Sequence, residues 1–202
     1  MKVLVACEFS GRVSDRFALL GHDVLSCDIL PTESKLKLEN LSHYQGNALD
    51  LLGENWDLII AHPPCTYLSN AAARWLYPKG VLNQERYEKG LEAKQFFMRF
   101  YDSNARSICV ENPKPSKVFE LPKHTQKIQP YQFGDPYSKG TLLWLKNLPE
   151  LKPTKIVEIE GYWAGSYTSK HGQRGRVIGK TAKERSMTFE GIADAMADQW
   201  GK

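Results

Sequence analysis

The segment WDLIIAHPPCTYLSN, residues 56–70, divides into an apolar half and a rigid half. Leu58–Ala61 is a short, unbroken apolar run with polar neighbours, the pattern of a strand buried on both faces. Pro63 and Pro64 follow almost at once. Each removes a backbone donor, and together they hold the chain extended, so the strand must stop there. Cys65 is thereby fixed just past the carboxyl end of a strand.

The same strand signal recurs on either side, separated by helical periodicity. KVLVACEF (2–9) and HDVLSCDI (22–29) read as strands around the helix in GRVSDRFALLG (11–21), where Val13, Phe17 and Leu20 share a face. YQGNALDLL (44–52) reads as a turn and short helix. The longest helix is NQERYEKGLEAKQFFMRFYDSN (83–104), with Tyr87, Leu91, Phe96 or Phe97, and Phe100 as its core stripe. RSICVEN (106–112) is a further strand, TLLWLKNLP (141–149) another near the sheet edge, and FEGIADAMADQW (189–200) a closing helix. Strands alternating with helices predict a Rossmann-like α/β fold, a mostly parallel central sheet flanked by helices.

The 202 residues suit a single domain, and 42% hydrophobic with 25% charged residues is ordinary for a globular chain. No apolar run approaches the roughly 18 residues of a membrane span, and MKVLVACEFSG turns polar too soon for a signal peptide. Cys7, Cys27, Cys65 and Cys109 lie far apart with no CxxC pair. Neither a metal site nor a disulfide framework is expected, and a reduced, cytoplasmic setting fits. Cys7, Cys27 and Cys109 fall inside predicted strands and read as filler. The net charge of +4 leans toward anionic partners.

In an open α/β sheet, ligands gather beyond the carboxyl ends of the strands. Those ends carry Glu8-Phe9-Ser10-Gly11, Asp28, Asp50, Pro63-Pro64-Cys65 and Glu111-Asn112-Pro113. Gly11, at a strand-to-helix turn, permits close approach of a ligand to the backbone. Asp28 lies near the offset of about 20 residues at which a carboxylate meets a ribose hydroxyl, which points to a nucleoside cofactor. Asp50 is read equally as a helix-capping residue.

PPCTYLS (63–69) resembles the PPCQxFS motif of the cytosine-C5 DNA methyltransferases, and VENP (110–113) is similar to their ENV motif. FSG (9–11) resembles the family's FxGxG, and the order of FSG, Asp28, Asp50, PPC and ENx is theirs across about residues 3 to 149. The resemblance implies an S-adenosylmethionine-dependent methyltransferase fold, with methyl transfer to C5 of a flipped-out cytosine in DNA. It implies Cys65 as the nucleophile that adds to C6, with Pro64, Glu111 and Asn112 beside it. It places Phe9, Ser10, Gly11, Asp28, Asp50 and Pro63 around S-adenosylmethionine. Small phage-encoded members are similarly compact, which implies the cytoplasm of a bacterial or phage-infected cell.

Several positions depart from the family pattern. Val13 stands at the second glycine and Thr66 at the usual glutamine, although Ser69 matches and is assigned to DNA. The QxRxR motif has no clear equivalent; QPYQFGDPYSKG (129–140) offers Gln132 and Lys139, of which Lys139 is assigned to DNA. The terminal GNSV-type motif is replaced by GIADAMADQW. Only residues 152–184 separate KNLPEL from RSMTF, too few for an independently folded reading module. The expected organisation is a catalytic domain over 1–149, a basic loop over 150–185, and a terminal helix over 186–202 that packs on the catalytic domain. Within the loop, Lys170, Arg174, Arg176, Lys180, Lys183 and Arg185 face one acid, Glu184, and are expected to hold phosphates, with Tyr162, Trp163 and Tyr167 stacking on bases. The short gap leaves open an enzyme acting on free nucleotides or RNA. The altered glycine leaves open a catalytically silent binding protein.

Overall fold

The computed structural model describes residues 1–163 and 181–202. Its centre is a seven-stranded sheet in which chain order reverses once. β1 (Lys2–Ala6) is an interior strand, flanked by β2 (Asp23–Asp28) and then β3 (Leu41–Gln45) on one side. On the other side come β4 (Leu58–Ala61), β5 (Ser107–Asn112), β8 (Thr141–Lys146) and, at the edge, β6 (Gln126–Ile128). The first five strands run parallel, and β8 runs antiparallel to both of its neighbours. The expected α/β architecture with a mostly parallel sheet is present.

Strand alternation explains the two layers. Val3, Val5, Leu58, Ile60 and Cys109 point to one face, where α1 (Arg12–Leu19) and α4 (Glu190–Trp200) cover them with Phe17, Ile192, Met196 and Trp200. Leu4, Ala6, Ile59, Ala61, Ile108 and Val110 point to the other, against Phe97 and Phe100 of α2 (Gln84–Tyr101). Period-2 burial on both faces confines polar residues to the strand ends of β1, β4 and β5, hence the apolar runs between them. Arg16 of α1 pairs with both Glu190 and Asp194, tying α4 to the sheet's first helix.

TLLWLK lies near the sheet edge as expected: β8 is next to the last strand, and it is buried along five of its six residues because the short strand QKI of β6 covers its outer side. Two other expectations change. Tyr44 and Gln45, expected in a turn, end the strand β3 instead: polar and apolar residues mix there because β3 is an edge with only one covered neighbour. Cys7 lies outside β1, at φ 59°, in the turn that redirects the chain after the strand. Two further short strands, β7 (Tyr137–Ser138) and β9 (Gly161–Tyr162), pair with each other, and α3 (Ala182–Ser186) precedes α4. Among the described residues no helix is long and apolar enough to cross a membrane.

Candidate active site

Sheet register brings the PPC and ENP segments together. β4 and β5 pair Ala61 with Val110, so the next two steps set His62 beside Glu111 and Pro63 beside Asn112. Both pairs are bonded through side chains. His62 Nδ1 lies 3.3 Å from Glu111 Oε2, and the buried Asn112 donates from Nδ2 to Pro63 O at 3.0 Å. An ionised carboxylate only accepts, so Nδ1 carries the imidazole proton in this pair. Past the strand ends the two loops remain joined: Ser116 N donates to Leu68 O at 2.7 Å and Asn70 N to Lys114 O at 2.8 Å, with Ser69 opposite Pro115. Cys65 stands exposed between these ties, its carbonyl accepting from Ser69 N at 2.9 Å.

The charges around Cys65 and Glu111 oppose each other. Protein on the inner side of Cys65 strips water from the thiol and raises its pKa, and the negative Glu111 raises it further, while Lys139 and Arg185 pull it down. Burial works to raise Glu111 as well, but the His62 hydrogen bond and the positive Lys139 outweigh it and hold the carboxyl below its ordinary value. The resting arrangement is therefore a protonated thiol facing an ionised carboxylate. Lys139 follows β7, is fixed by its amide donating to Gln129 Oε1 at 2.9 Å, and reaches Arg185 O at 2.8 Å. Gln132 is not part of this group, because its side chain accepts from Gln129 N in a local turn. His62, marked in the sequence only by its position one residue before the prolines, is the group that keeps Glu111 ionised.

The ends of β1, β2 and β3 form the second half. Asp28 closes β2, where its carbonyl accepts from Gly46 N and the neighbouring Cys27 carbonyl accepts from Glu8 N, both at 2.9 Å. Its carboxylate receives Leu30 N on Oδ1 at 2.9 Å. The chain thus fixes Asp28 at the carboxyl edge of the sheet with an acceptor oxygen to offer. Phe9 is buried in the β1–α1 turn, with Lys183 Nζ 5.3 Å from its ring centroid. Gly11 adopts φ 76°, yet the space over it belongs to the chain itself: a side-chain carbon there would stand 2.7 Å from Ser34 Cβ. Ser34 thus fills the side of Gly11 where a side chain would stand. Ser10 Oγ accepts from Arg12 N at 3.4 Å. Val13, at the family's glycine position, is fully buried among the core residues under α1.

Glu8 was passed over by sequence and proves central to this turn. Its buried carboxylate accepts from Val13 N at 2.6 Å and Ser14 N at 3.1 Å, satisfying the first free amides of α1 and the positive end of its dipole. Those amides are consequently closed to an anionic ligand. Asp50 is exposed and held by Tyr44 OH at 3.3 Å, in the 3-10 turn Ala48–Leu51, whereas Asn47 caps that turn through Leu49 N. With β3 ending at Gln45, Asn47 rather than Asp50 is the polar residue just past the strand.

Arg185 contributes beside Lys139, whereas Lys170, Arg174, Arg176 and Lys180 lie outside the described residues, as does Tyr167. Trp163 is half-buried against the core, its ring 5.0 Å from Tyr137 and 4.8 Å from Phe189. Tyr162 pairs in β9 with Ser138. Beyond Cys65, a cleft of about 740 Å³ is lined by Thr66, Tyr67, Ser69, Trp75 and Arg86, with the Arg86 guanidinium 5.0 Å from the Tyr67 ring centroid. No group of three or more His, Cys, Asp or Glu is placed to hold a metal among the described residues.

No family model matches the chain, and no curated protein matches it by sequence. Among solved structures, it is similar to a protein assigned as a DNA modification methyltransferase encoded within an E. coli prophage, at 16% identity and a TM-score of 0.47, over 78% of this chain and 52% of the other. A mutant DNMT2 from Spodoptera frugiperda aligns at 16% identity and a TM-score of 0.43, over 79% and 57%. The chain spans little more than half the length of either. The fold assignment stands on the sheet order and strand directions.

Proposed function

We propose that the chain transfers a methyl group from S-adenosylmethionine to C5 of cytosine in DNA, through a covalent bond between Cys65 Sγ and C6. The observation that supports the reading is the double tie between strand ends, His62 to Glu111 and Asn112 to Pro63, which joins the PPC and ENP segments, with Glu111 close enough to raise the Cys65 thiol. Cytosine C5 is a weak nucleophile until a group adds at C6, and a thiolate both adds readily and leaves readily. The base enters by swinging out of the duplex.

Glu111 faces the Watson–Crick edge. Its ionised carboxylate accepts from the N4 amino group. As Sγ bonds to C6, the electron pair of the 5,6 double bond moves into the ring, and N3 becomes basic. The proton given up by the Cys65 thiol is then accommodated between Glu111 and N3. Lys139 and Arg185 favour the thiolate needed for attack. Bound S-adenosylmethionine would supply an electrophilic methyl to C5. Loss of the C5 proton to a base restores the double bond and expels Cys65. Asp28, with Phe9 and Pro63 beside the same strand ends, would hold the cofactor's nucleoside part; Asp28 meets the demand of ribose hydroxyls for a fixed acceptor.

The test is incubation with methyl-labelled cofactor and, in separate reactions, duplex DNA, RNA and cytidine nucleotides, followed by mass spectrometry of the nucleosides. Label in 5-methylcytosine from DNA is the expected result, and label only in RNA or nucleotides would overturn the DNA reading. For the cofactor, Asp28→Ala is expected to weaken S-adenosylmethionine binding about 10- to 150-fold, or about 1.5–3 kcal/mol, the worth of hydrogen bonds to a charged acceptor. Titration calorimetry showing unchanged affinity would remove Asp28 from the site.

A further inference from the structure

A positively charged surface lies just past the active-site loops, on residues 114–127. Lys114, Lys117, Lys123 and Lys127, joined by His124, line a groove of about 600 Å³ just past the ENP segment. One acid, Glu120, stands among them. The four lysines are exposed, and none makes an ion pair among the described residues, whereas Lys2, Lys89, Lys146 and Lys183 each face a carboxylate. The groove's floor is apolar, made by Leu121, Leu142 and Trp144, and the Trp144 indole N–H is spent on Pro122 O at 2.7 Å.

We infer that this groove is a phosphate track for the DNA strand flanking the base at Cys65. Gathering four like charges without partners raises the energy of the free surface, and a polyanion relieves it. The apolar floor suits the carbon faces of deoxyribose, which lacks the 2′-hydroxyl that would need a polar partner there. The position follows from the chain. Lys114 is two residues beyond the buried Asn112, and its carbonyl and the Ser116 amide are the atoms that clasp the loop after Cys65. A strand that delivers a base to Cys65 therefore passes along the wall that carries the lysines. The track rests on the reading that the substrate is nucleic acid, but it does not require the C5 chemistry.

The experiment measures duplex DNA binding by fluorescence anisotropy over a range of salt concentrations, for the wild type and for the variant carrying Lys114→Ala, Lys117→Ala, Lys123→Ala and Lys127→Ala. Each phosphate neutralised steepens the plot of log K against log salt by about 0.9, so the variant slope is expected to flatten by about 3 to 4. Between roughly 50 and 200 mM salt, the wild type should then lose about 100-fold more affinity than the variant. Thermal melting and S-adenosylmethionine binding of the variant are controls, expected to be unchanged because all four side chains are exposed. An unchanged slope, or a wild type that binds no DNA, overturns the track. Equal flattening with RNA of the same length, bound more tightly than DNA, overturns its assignment to DNA. A wild type that binds DNA with the expected slope but transfers no methyl leaves the track standing and removes the C5 reading. Methyl transfer to DNA by a variant with an unchanged slope does the reverse.

Discussion

DNA carrying 5-fluorocytosine at the target position is expected to become covalently attached to the protein in the presence of S-adenosylmethionine, and Cys65→Ser is expected to abolish the attachment. Fluorine at C5 cannot leave as a proton does, so the thiol that has added to C6 has no route out once the methyl is in place. On ordinary DNA the same substitution should reduce methyl transfer by at least about 10³-fold, since a serine hydroxyl is far less acidic and less nucleophilic than a thiol. The other cysteines provide the contrast. Cys109 is fully buried in the middle of β5, and burial followed by Glu111 holds its thiol well above the ordinary value. Cys7 sits nearer, in the turn after β1, but burial, Asp28 and Cys27 together push its thiol far up. Cys7→Ala and Cys109→Ala should both still trap. Attachment that survives Cys65→Ser, detected by mass spectrometry on the crosslinked peptide, would move the nucleophile elsewhere.

The central strands were legible because the sheet is covered on both faces, which leaves near-continuous apolar runs at β1, β4 and β5 bounded by turn residues. The long helix and the closing helix were legible for a similar reason, each carrying one buried stripe. β3 and β6 were not, because an edge strand is set by its neighbour and needs little apolar pattern of its own. TLLWLK was legible as a strand near the edge, but the three-residue strand that covers it was not. At the site, Cys65, Glu111 and Asn112 could be found because prolines and strand ends mark them locally. Glu8 and His62 stand at the same strand ends, but their roles lie in what they touch. Glu8 answers two amides five and six residues on, and His62 answers a carboxylate 49 residues away. Gly11 shows the converse: the residue type was informative, but the neighbour that makes it necessary, Ser34, lies on a different strand connection.

Glu111→Gln should move two measurements in opposite directions. Methyl transfer is expected to fall by about 10²- to 10⁴-fold, because glutamine can still touch the Watson–Crick edge but cannot carry the proton that N3 needs as Cys65 adds. Alkylation of Cys65 by iodoacetamide, measured at pH 8 without DNA, is expected to become faster. The thiol's pKa is raised by its surroundings and then by Glu111, so less of it is thiolate at a given pH. Removing the Glu111 charge lowers that pKa, and the alkylation profile shifts toward lower pH. Lys139→Gln removes a charge of the other sign and should shift the profile toward higher pH, slowing alkylation at pH 8. A merely structural role for Glu111 would not separate the two readouts, because a loosened fold would expose Cys27 and Cys109 along with Cys65. Peptide-level mass spectrometry distinguishes these cases by showing which thiol gains reactivity. If Glu111→Gln slows alkylation of Cys65, the carboxylate assists the resting thiol instead of opposing it, and the division of roles between the two residues would have to be reversed.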